Sequence, residues 1–205
     1  KNNFRFIQIS TDEVFGSLKK DEPSFIENNP LLPNSPYSAS KASADHLVRA
    51  FNKTFNLPTI ITHCSNNYGP YQFPEKFIPL VINNALKKEK IPIYGDGLNI
   101  RDWLFVKDHC IALIKILDKG LPGETYNIGG GNEKTNNEVV LIICEILDKL
   151  KPLNKNSIIK YYRELITYIK DRPGHDRRYS INYDKLKFKL NWEPKYDFRK
   201  GINET

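Results

Sequence analysis

Apolar residues gather first at Phe4-Arg5-Phe6-Ile7-Gln8-Ile9-Ser10, a run dense enough for a strand buried in a parallel sheet. A polar stretch follows, in which Pro23, Pro30, Pro33 and Pro36 forbid a long helix. From Tyr37 to Phe55 the period changes. Tyr37, Ala44, Leu47, Val48, Phe51 and Phe55 fall on the stripe of an amphipathic helix. Leu57-Pro58-Thr59-Ile60-Ile61-Thr62-His63 reads as a second strand, so the helix and its flanking strands form one βαβ unit.

The alternation continues downstream. The pattern predicts a helix over Phe77–Lys88, a strand over Ile91–Tyr94 and a turn at Gly95-Asp96-Gly97. Lys107–Leu117 reads as a helix with Ile111, Ile114 and Leu117 on one side, and Glu124–Ile128 as a strand entering Gly129-Gly130-Gly131. Thr135 and Glu138 make a capping box for an apolar helix running to Leu150. Beyond it Pro152, Pro173 and Pro194 predict looser chain, with one short helix at Asp184–Leu190. Strands alternating with helices define an α/β architecture.

At 205 residues and 40% apolar, the chain can bury a core, which excludes wholesale disorder. No apolar run approaches the about 20 residues that cross a bilayer, so no membrane partner is expected. Lys1 to Arg5 lack the apolar centre of a secretory signal. Cys64, Cys110 and Cys144 are too few and scattered for a disulfide framework, which favours the reducing cytoplasm. The net charge of +7 lies wholly in residues 151–205. A basic tail suits a nucleic acid, an anionic surface, a phosphorylated small molecule or plain solvation.

Two clusters carry candidate chemistry. Tyr37 and Lys41 stand four apart on a helix and share a face. A neighbouring ammonium lowers a phenol's pKa and makes it a usable base, although such pairs also occur as ordinary surface neighbours. Ser10-Thr11-Asp12-Glu13 closes the first strand, and ligands of open parallel sheets bind beyond strand carboxyl ends. Adjacent carboxylates push one pKa up, leaving an acid beside a base; the same residues also suit a helix cap. His46, His63, His109 and His175 lack metal-ligand spacing, and no metal is expected. Gly129-Gly130-Gly131 lacks the Lys and Ser/Thr of a phosphate loop and reads as a strand-to-helix turn.

Longer stretches carry a family signature. They are Ile9-Ser10-Thr11-Asp12-Glu13-Val14-Phe15-Gly16, Ser35-Pro36-Tyr37-Ser38-Ala39-Ser40-Lys41, the segment Cys64–Lys76, Tyr94-Gly95-Asp96-Gly97, Arg101-Asp102-Trp103, Tyr126-Asn127-Ile128-Gly129-Gly130 and Asp171–Tyr179. In this order they resemble the dTDP-glucose 4,6-dehydratase family, within the extended short-chain dehydrogenase/reductase superfamily. The resemblance implies the second half of a Rossmann-type parallel sheet plus a smaller mixed α/β substrate-binding domain. Residues 1–66 would belong to the NAD-binding domain and 67–205 mainly to the nucleotide-sugar domain, with 107–130 returning to the Rossmann sheet.

It also implies roles. Tyr37 would take the sugar C4 hydroxyl proton, with Lys41 tuning it and holding the nicotinamide ribose of NAD. Glu13 would remove the C5 proton, Asp12 would protonate the departing C6 hydroxyl, and Thr11 would bind the C4 oxygen. Asn67 matches a cofactor contact. Asn66, Lys76, Phe77, Pro92, Ile93, Tyr94, Arg101, Asn136, Asp171, Arg172, Pro173, Gly174 and His175 match contacts to dTDP-glucose, with Arg101 and Arg172 preferred for the diphosphate. A homodimer through the 37–55 helix is implied, and part of the basic tail is assigned to the diphosphate rather than to nucleic acid.

Two departures stand out. Phe15 replaces the family's tyrosine, and no Gly-x-x-Gly-x-x-Gly follows an opening strand. With no Met in the chain, the expectation is an internal fragment, inactive alone, whose pyrophosphate-cradling turn lies upstream. UDP- or CDP-glucose dehydratases and 4-epimerases are the close alternatives. Asp12-Glu13 disfavours an epimerase, which eliminates no water, and Cys64–Lys76 favours dTDP. A nucleic-acid module would need the tail's Tyr161, Tyr162, Tyr168 and Tyr179 on a recognisable platform, and no such motif is present.

Overall fold

The computed structural model describes residues 4–205. In chain order it contains β1 (Phe6–Thr11), a 3-10 turn (Asp12–Phe15), α1 (Pro36–Phe55), β2 (Thr59–Cys64), β3 (Asn66–Tyr68), α2 (Phe77–Lys87), β4 (Ile91–Tyr94) and β5 (Ile100–Phe105). Then follow α3 (Val106–Lys119), β6 (Thr125–Ile128), β7 (Glu133–Thr135), α4 (Asn136–Leu150), a second 3-10 turn (Tyr162–Leu165), β8 (Ile166–Ile169), β9 (Arg178–Tyr179), α5 (Asp184–Leu190) and α6 (Phe198–Glu204).

The expected βαβ unit is present. β1 pairs in parallel with β2, and β2 with β6, giving an all-parallel sheet of order β1-β2-β6. The β-branched run of β2 is buried over Thr59–His63, which suits a central strand covered on both faces. The helical connection is set by its ends. Ser35 caps it, Pro36 occupies its first turn, and Asn56 stops it in the left-handed region at φ 53°. One core cluster, including Ile60, Leu104, Ala112, Ile116, Tyr126 and Ile128, involves α3 and this sheet. Phe6 and Ile9 of β1, the sheet's edge strand, are exposed.

A second sheet runs β3-β5-β7, with β9 also on β5, and β4 pairs in parallel with β8. Its larger core joins α2, α4, β4 and β5 through Ile78, Val81, Ile91, Trp103 and Ile143. The capping box starts α4: Thr135 Oγ1 accepts from Glu138 N at 3.2 Å, and Glu138 Oε2 accepts from Thr135 N at 2.7 Å.

The region read as loose after Leu150 holds more structure than its pattern predicts, namely β8, β9 and α6. These elements are short, so periodicity has little chain in which to show itself. β5 escaped for another reason. Arg101 and Asp102 interrupt its apolar run, yet both are buried. Asp102 accepts from Gly130 N and Asn132 N, each at 2.7 Å, fastening the loop after β6 to the second sheet.

Ile143, 1% exposed within the larger core, is a suitable stability probe. Ile143→Ala in the complete gene product should lower unfolding free energy by about 2–5 kcal/mol, read by urea titration.

Candidate active site

Register pairing places Thr11 beside Cys64 at the carboxyl ends of β1 and β2. The chain turns there because Thr11 Oγ1 accepts from Glu13 N at 3.3 Å and caps the 3-10 turn bearing Asp12 and Glu13. Gly16 ends the turn at φ 91°, and a Cβ there would lie 2.5 Å from the Leu32 carbonyl oxygen. Glycine is the residue this backbone admits.

Asp12 is 2% exposed. Its Oδ1 accepts from Thr11 Oγ1 at 3.3 Å, while the buried Oδ2 meets no partner among the described residues. Burial, and then the charges of Glu13 and Asp102, push its pKa up to about 8 against the pull of Arg101. At neutral pH Asp12 is therefore mainly a carboxylic acid and can donate a proton. Glu13 is half-buried and also raised by burial, but Arg101, Arg172 and Lys76 oppose the shift. Neighbouring carboxyl groups in unequal surroundings divide into acid and base.

Tyr37 sits in the first turn of α1, where Ser35 Oγ accepts from Ser38 N at 3.1 Å. One expectation is corrected here. Lys41 does not lower the Tyr37 pKa: burial raises it first, then Glu13, Cys64 and Asp12. The reason is geometric. Lys41 Nζ donates to the Ile9 carbonyl at 2.8 Å, so the ammonium is aimed at the strand while the charges acting on the phenol are acidic.

Just beyond β2, Asn67 is held on both sides. Its Nδ2 donates to the Ser65 carbonyl at 3.0 Å and its Oδ1 accepts from His109 Nδ1 at 2.8 Å. Burial lowers the His109 pKa to about 4, so the ring is neutral. Cys64, pushed up to about 12 by burial and Asp12, is no thiolate nucleophile. Asn66 is half-buried with Oδ1 unpartnered among the described residues.

Cations gather around Glu13. Arg101, 6% exposed, lays its guanidinium 4.3 Å from the centre of the Tyr179 ring, and its Nη2 donates to the Asp176 carbonyl at 2.9 Å. Tyr179 donates its hydroxyl to the Asp176 carboxylate. Arg172 and Lys76 act on Glu13 from other segments. His175 pairs with Asp171 at 2.7 Å and feels both arginines. Pro173 and Gly174 lie exposed between them.

The remaining expected residues are placed differently. Phe77 stacks on Trp103 at 6.3 Å and packs on the larger core. In β4, Ile93 is buried in that core, Pro92 is half-buried and Tyr94 is exposed, so Ile93 has only its backbone to offer a ligand. Asn136 opens α4, its N–H donating to the Asn99 carbonyl at 3.1 Å. The sequence did not single out Asp45, Asp102 or Asp176, which bond to Ser10, to Gly130 N and to Arg101 respectively. Asp45 had a signal, standing four residues after Lys41 on α1. Among the described residues, no group of three or more His, Cys, Asp or Glu side chains is placed to hold a metal ion.

A parallel sheet ending in a Thr-Asp-Glu turn, beside a helix bearing Tyr37 and Lys41, defines a Rossmann-like site of the short-chain dehydrogenase/reductase type. The chain belongs to the GDP-mannose 4,6 dehydratase family, whose family model matches residues 1–205. It is 56% identical over 213 residues to the dTDP-glucose 4,6-dehydratase of Shigella flexneri, covering 100% of this chain and 58% of that relative. The Haemophilus influenzae dTDP-glucose 4,6-dehydratase is 55% identical over 205 residues, covering 100% and 60%. The crystal structure of dTDP-glucose 4,6-dehydratase from Bacillus anthracis in complex with NAD matches at TM-score 0.88 and 55% identity, covering 98% of this chain and 60% of that one. A UDP-glucuronic acid 4-epimerase from Bacillus cereus matches at TM-score 0.83 and 26% identity, covering 98% and 59%. The chain thus spans less than two thirds of these relatives.

The raised Asp12 pKa sets a test. The native state retains the Asp12 proton from about 4, where an unfolded aspartate loses it, up to about 8. Asp12's contribution to stability should therefore fall as pH rises through that window. Asp12→Asn should flatten this slope, and the ¹³C shift of the Asp12 carboxyl should titrate near 8 rather than near 4.

Proposed function

We propose that these residues form the catalytic and nucleotide-sugar part of an NAD-dependent dTDP-glucose 4,6-dehydratase, a hydro-lyase yielding dTDP-4-keto-6-deoxyglucose. The observation that carries the reading is the Asp12–Glu13 pair, one carboxyl buried and protonated, the other half-buried beside cations. Loss of water across C5–C6 needs an acid and a base beyond the base that serves oxidation at C4; epimerisation at C4 breaks neither the C5–H nor the C6–O bond and needs no such pair. The names of the relatives at 55–56% identity support the same reading.

The residues present fit a nicotinamide ribose. Lys41 directs one donor to Ile9, and an ammonium has three, so others are free for a diol. Bound NAD supplies the hydride acceptor for C4 and the hydride donor for C6. Tyr37 takes the C4 hydroxyl proton, a role that requires the positive charge bound NAD would bring to offset the burial and acidic neighbours raising its pKa, and Thr11 hydrogen-bonds the resulting ketone oxygen. The ketone acidifies C5, Glu13 takes that proton, Asp12 gives its own to the C6 hydroxyl as water departs, and Glu13 returns a proton to C5 when C6 receives the hydride. Arg101, Arg172 and Lys76 hold the diphosphate by charge-assisted hydrogen bonds. Asn66, Phe77, Pro92, Tyr94, the Ile93 backbone, Asn136, Asp171 and His175 would line the rest of the nucleotide-sugar path, and Asn67, fixed by His109, would contact the cofactor. The reducing cytoplasm, which the three scattered cysteines favour, suits the enzyme. No helix among the described residues is long and apolar enough to cross a membrane.

The outward face of α1 presents Leu47, Phe51 and Phe55, at 61%, 48% and 65% exposure, which suits pairing with a second copy of this chain. Leu47→Glu with Phe51→Glu should turn a dimeric gene product monomeric by light scattering; an unchanged mass contradicts the interface.

Two variants of the complete gene product test the roles. Tyr37→Phe should slow oxidation at C4 by about 10²–10⁴-fold, the usual contribution of a positioned acid or base. Glu13→Gln should stop exchange of the C5 hydrogen with solvent yet leave the first oxidation measurable. Normal C5 exchange in that variant would place the base elsewhere.

A further inference from the structure

Behind the Tyr37–Lys41 pair lies a buried polar knot that the reaction above does not use. Asp45 of α1 is 3% exposed, as are Ser10 of β1 and His63 of β2. Asp45 Oδ2 accepts from Ser10 Oγ at 2.7 Å and lies 3.1 Å from His63 Nε2. Because the partner is a carboxylate, His63 Nε2 carries the hydrogen. Ser10 and His63 are register partners on adjacent parallel strands, so one helical oxygen grips both strands at the same level.

The knot adjoins the segments that carry Thr11, Asp12, Glu13, Asn66, Asn67, Tyr37 and Lys41. Ser10 immediately precedes Thr11-Asp12-Glu13, and His63 precedes Cys64, Ser65, Asn66 and Asn67. Phe15, from the turn that bears Asp12 and Glu13, sets its ring edge-on to His63 with centroids 4.8 Å apart. Asp45 itself follows Tyr37 and Lys41 at successive four-residue steps, so all three project from one side of α1. Lys41 Nζ on the Ile9 carbonyl is a second tether one turn closer to Tyr37.

We propose that Asp45 is a positioning residue: through Ser10 and His63 it fixes the distance and angle between the Tyr37–Lys41 helix and the Asp12–Glu13 turn. A side chain serving only to fill the helix–sheet contact would be apolar, since burying a carboxylate is costly unless it is hydrogen-bonded; here Oδ2 is held by Ser10 and His63 while the buried Oδ1 meets no partner among the described residues. Two partners on two strands resist sliding and rotation of α1, which one contact on one strand does not. The inference rests on the dehydratase reading for its kinetic consequences, but not for its structural ones.

The experiment compares wild type, Asp45→Ala, Asp45→Asn and Ser10→Ala in the complete gene product. Backbone amide exchange should quicken over residues 36–41 in Asp45→Ala and remain as in wild type over 77–87 of α2. The kcat for dTDP-glucose should fall by about 10–100-fold, as expected for reacting groups displaced by an ångström or less, with KM little changed because the diphosphate cations lie elsewhere. Asp45→Asn keeps one accepting oxygen and should recover most of the kcat. Should Asp45→Ala fail to fold, Ser10→Ala removes one strand's grip and should show the same pattern more weakly. Wild-type exchange over 36–41 together with wild-type kcat in the folded variants overturns the proposal, as does a kcat loss matched by an equal rise in KM. If wild type itself does not turn over dTDP-glucose, the functional reading fails, and amide exchange over 36–41 alone decides the role of Asp45.

Discussion

The in-register parallel pairing of β1 with β2 is the constraint on which the site depends. Ser10 stands opposite His63 and Thr11 opposite Cys64, so two chain segments distant in sequence leave the sheet at one level. One becomes the turn carrying Asp12 and Glu13; the other leads through Ser65 into Asn66 and Asn67. A one-residue slip would send every side chain of β1 to the opposite face and take the acid–base pair away from Tyr37. The helix between the strands is tied to both of them by buried polar contacts.

From that edge the electrostatics follow. Asp12 is buried, is crowded by Glu13 and Asp102, and keeps its proton. Glu13, one residue on, feels the charges of Lys76, Arg101 and Arg172 from three separate segments, which oppose the rise its burial causes. The second sheet supplies Arg101, and the segment after β8 supplies Arg172, because β8 pairs with β4 and returns the chain beside Gly95. Asp102 links the two sheets by accepting from the loop after β6, and its charge also raises Asp12. One carboxylate thus serves packing and proton inventory together.

Much of this was legible in the sequence. The βαβ unit and the helices following Phe77 and Lys107 rest on periodicity over many residues, where apolar burial and local propensity agree, and the capping box at Thr135 and Glu138 rests on a local three-residue spacing. That adjacency would raise one carboxyl of the Asp12–Glu13 pair was legible, but the shift of Asp12 rests first on its burial, which the sequence does not show. What escaped depends on non-local contacts. β5 hides behind Arg101 and Asp102, charges that are buried only because partners elsewhere in the chain satisfy them. The Tyr37 pKa was misread for the same reason: spacing put Lys41 on the right face, but the Ile9 carbonyl, not the phenol, receives its hydrogen bond. The grip of Asp45 on two strands likewise required the pairing register before it could be recognised.

Elimination by an acid–base carboxyl pair is the central claim, and the fate of one hydrogen tests it most directly. The complete gene product with NAD and dTDP-glucose in D₂O should give a 4-keto-6-deoxy sugar carrying solvent deuterium at C5, since Glu13 exchanges that proton while the C4 hydride is returned to C6. A C4 epimer that retains its C6 hydroxyl and gains no deuterium at C5 would contradict the account.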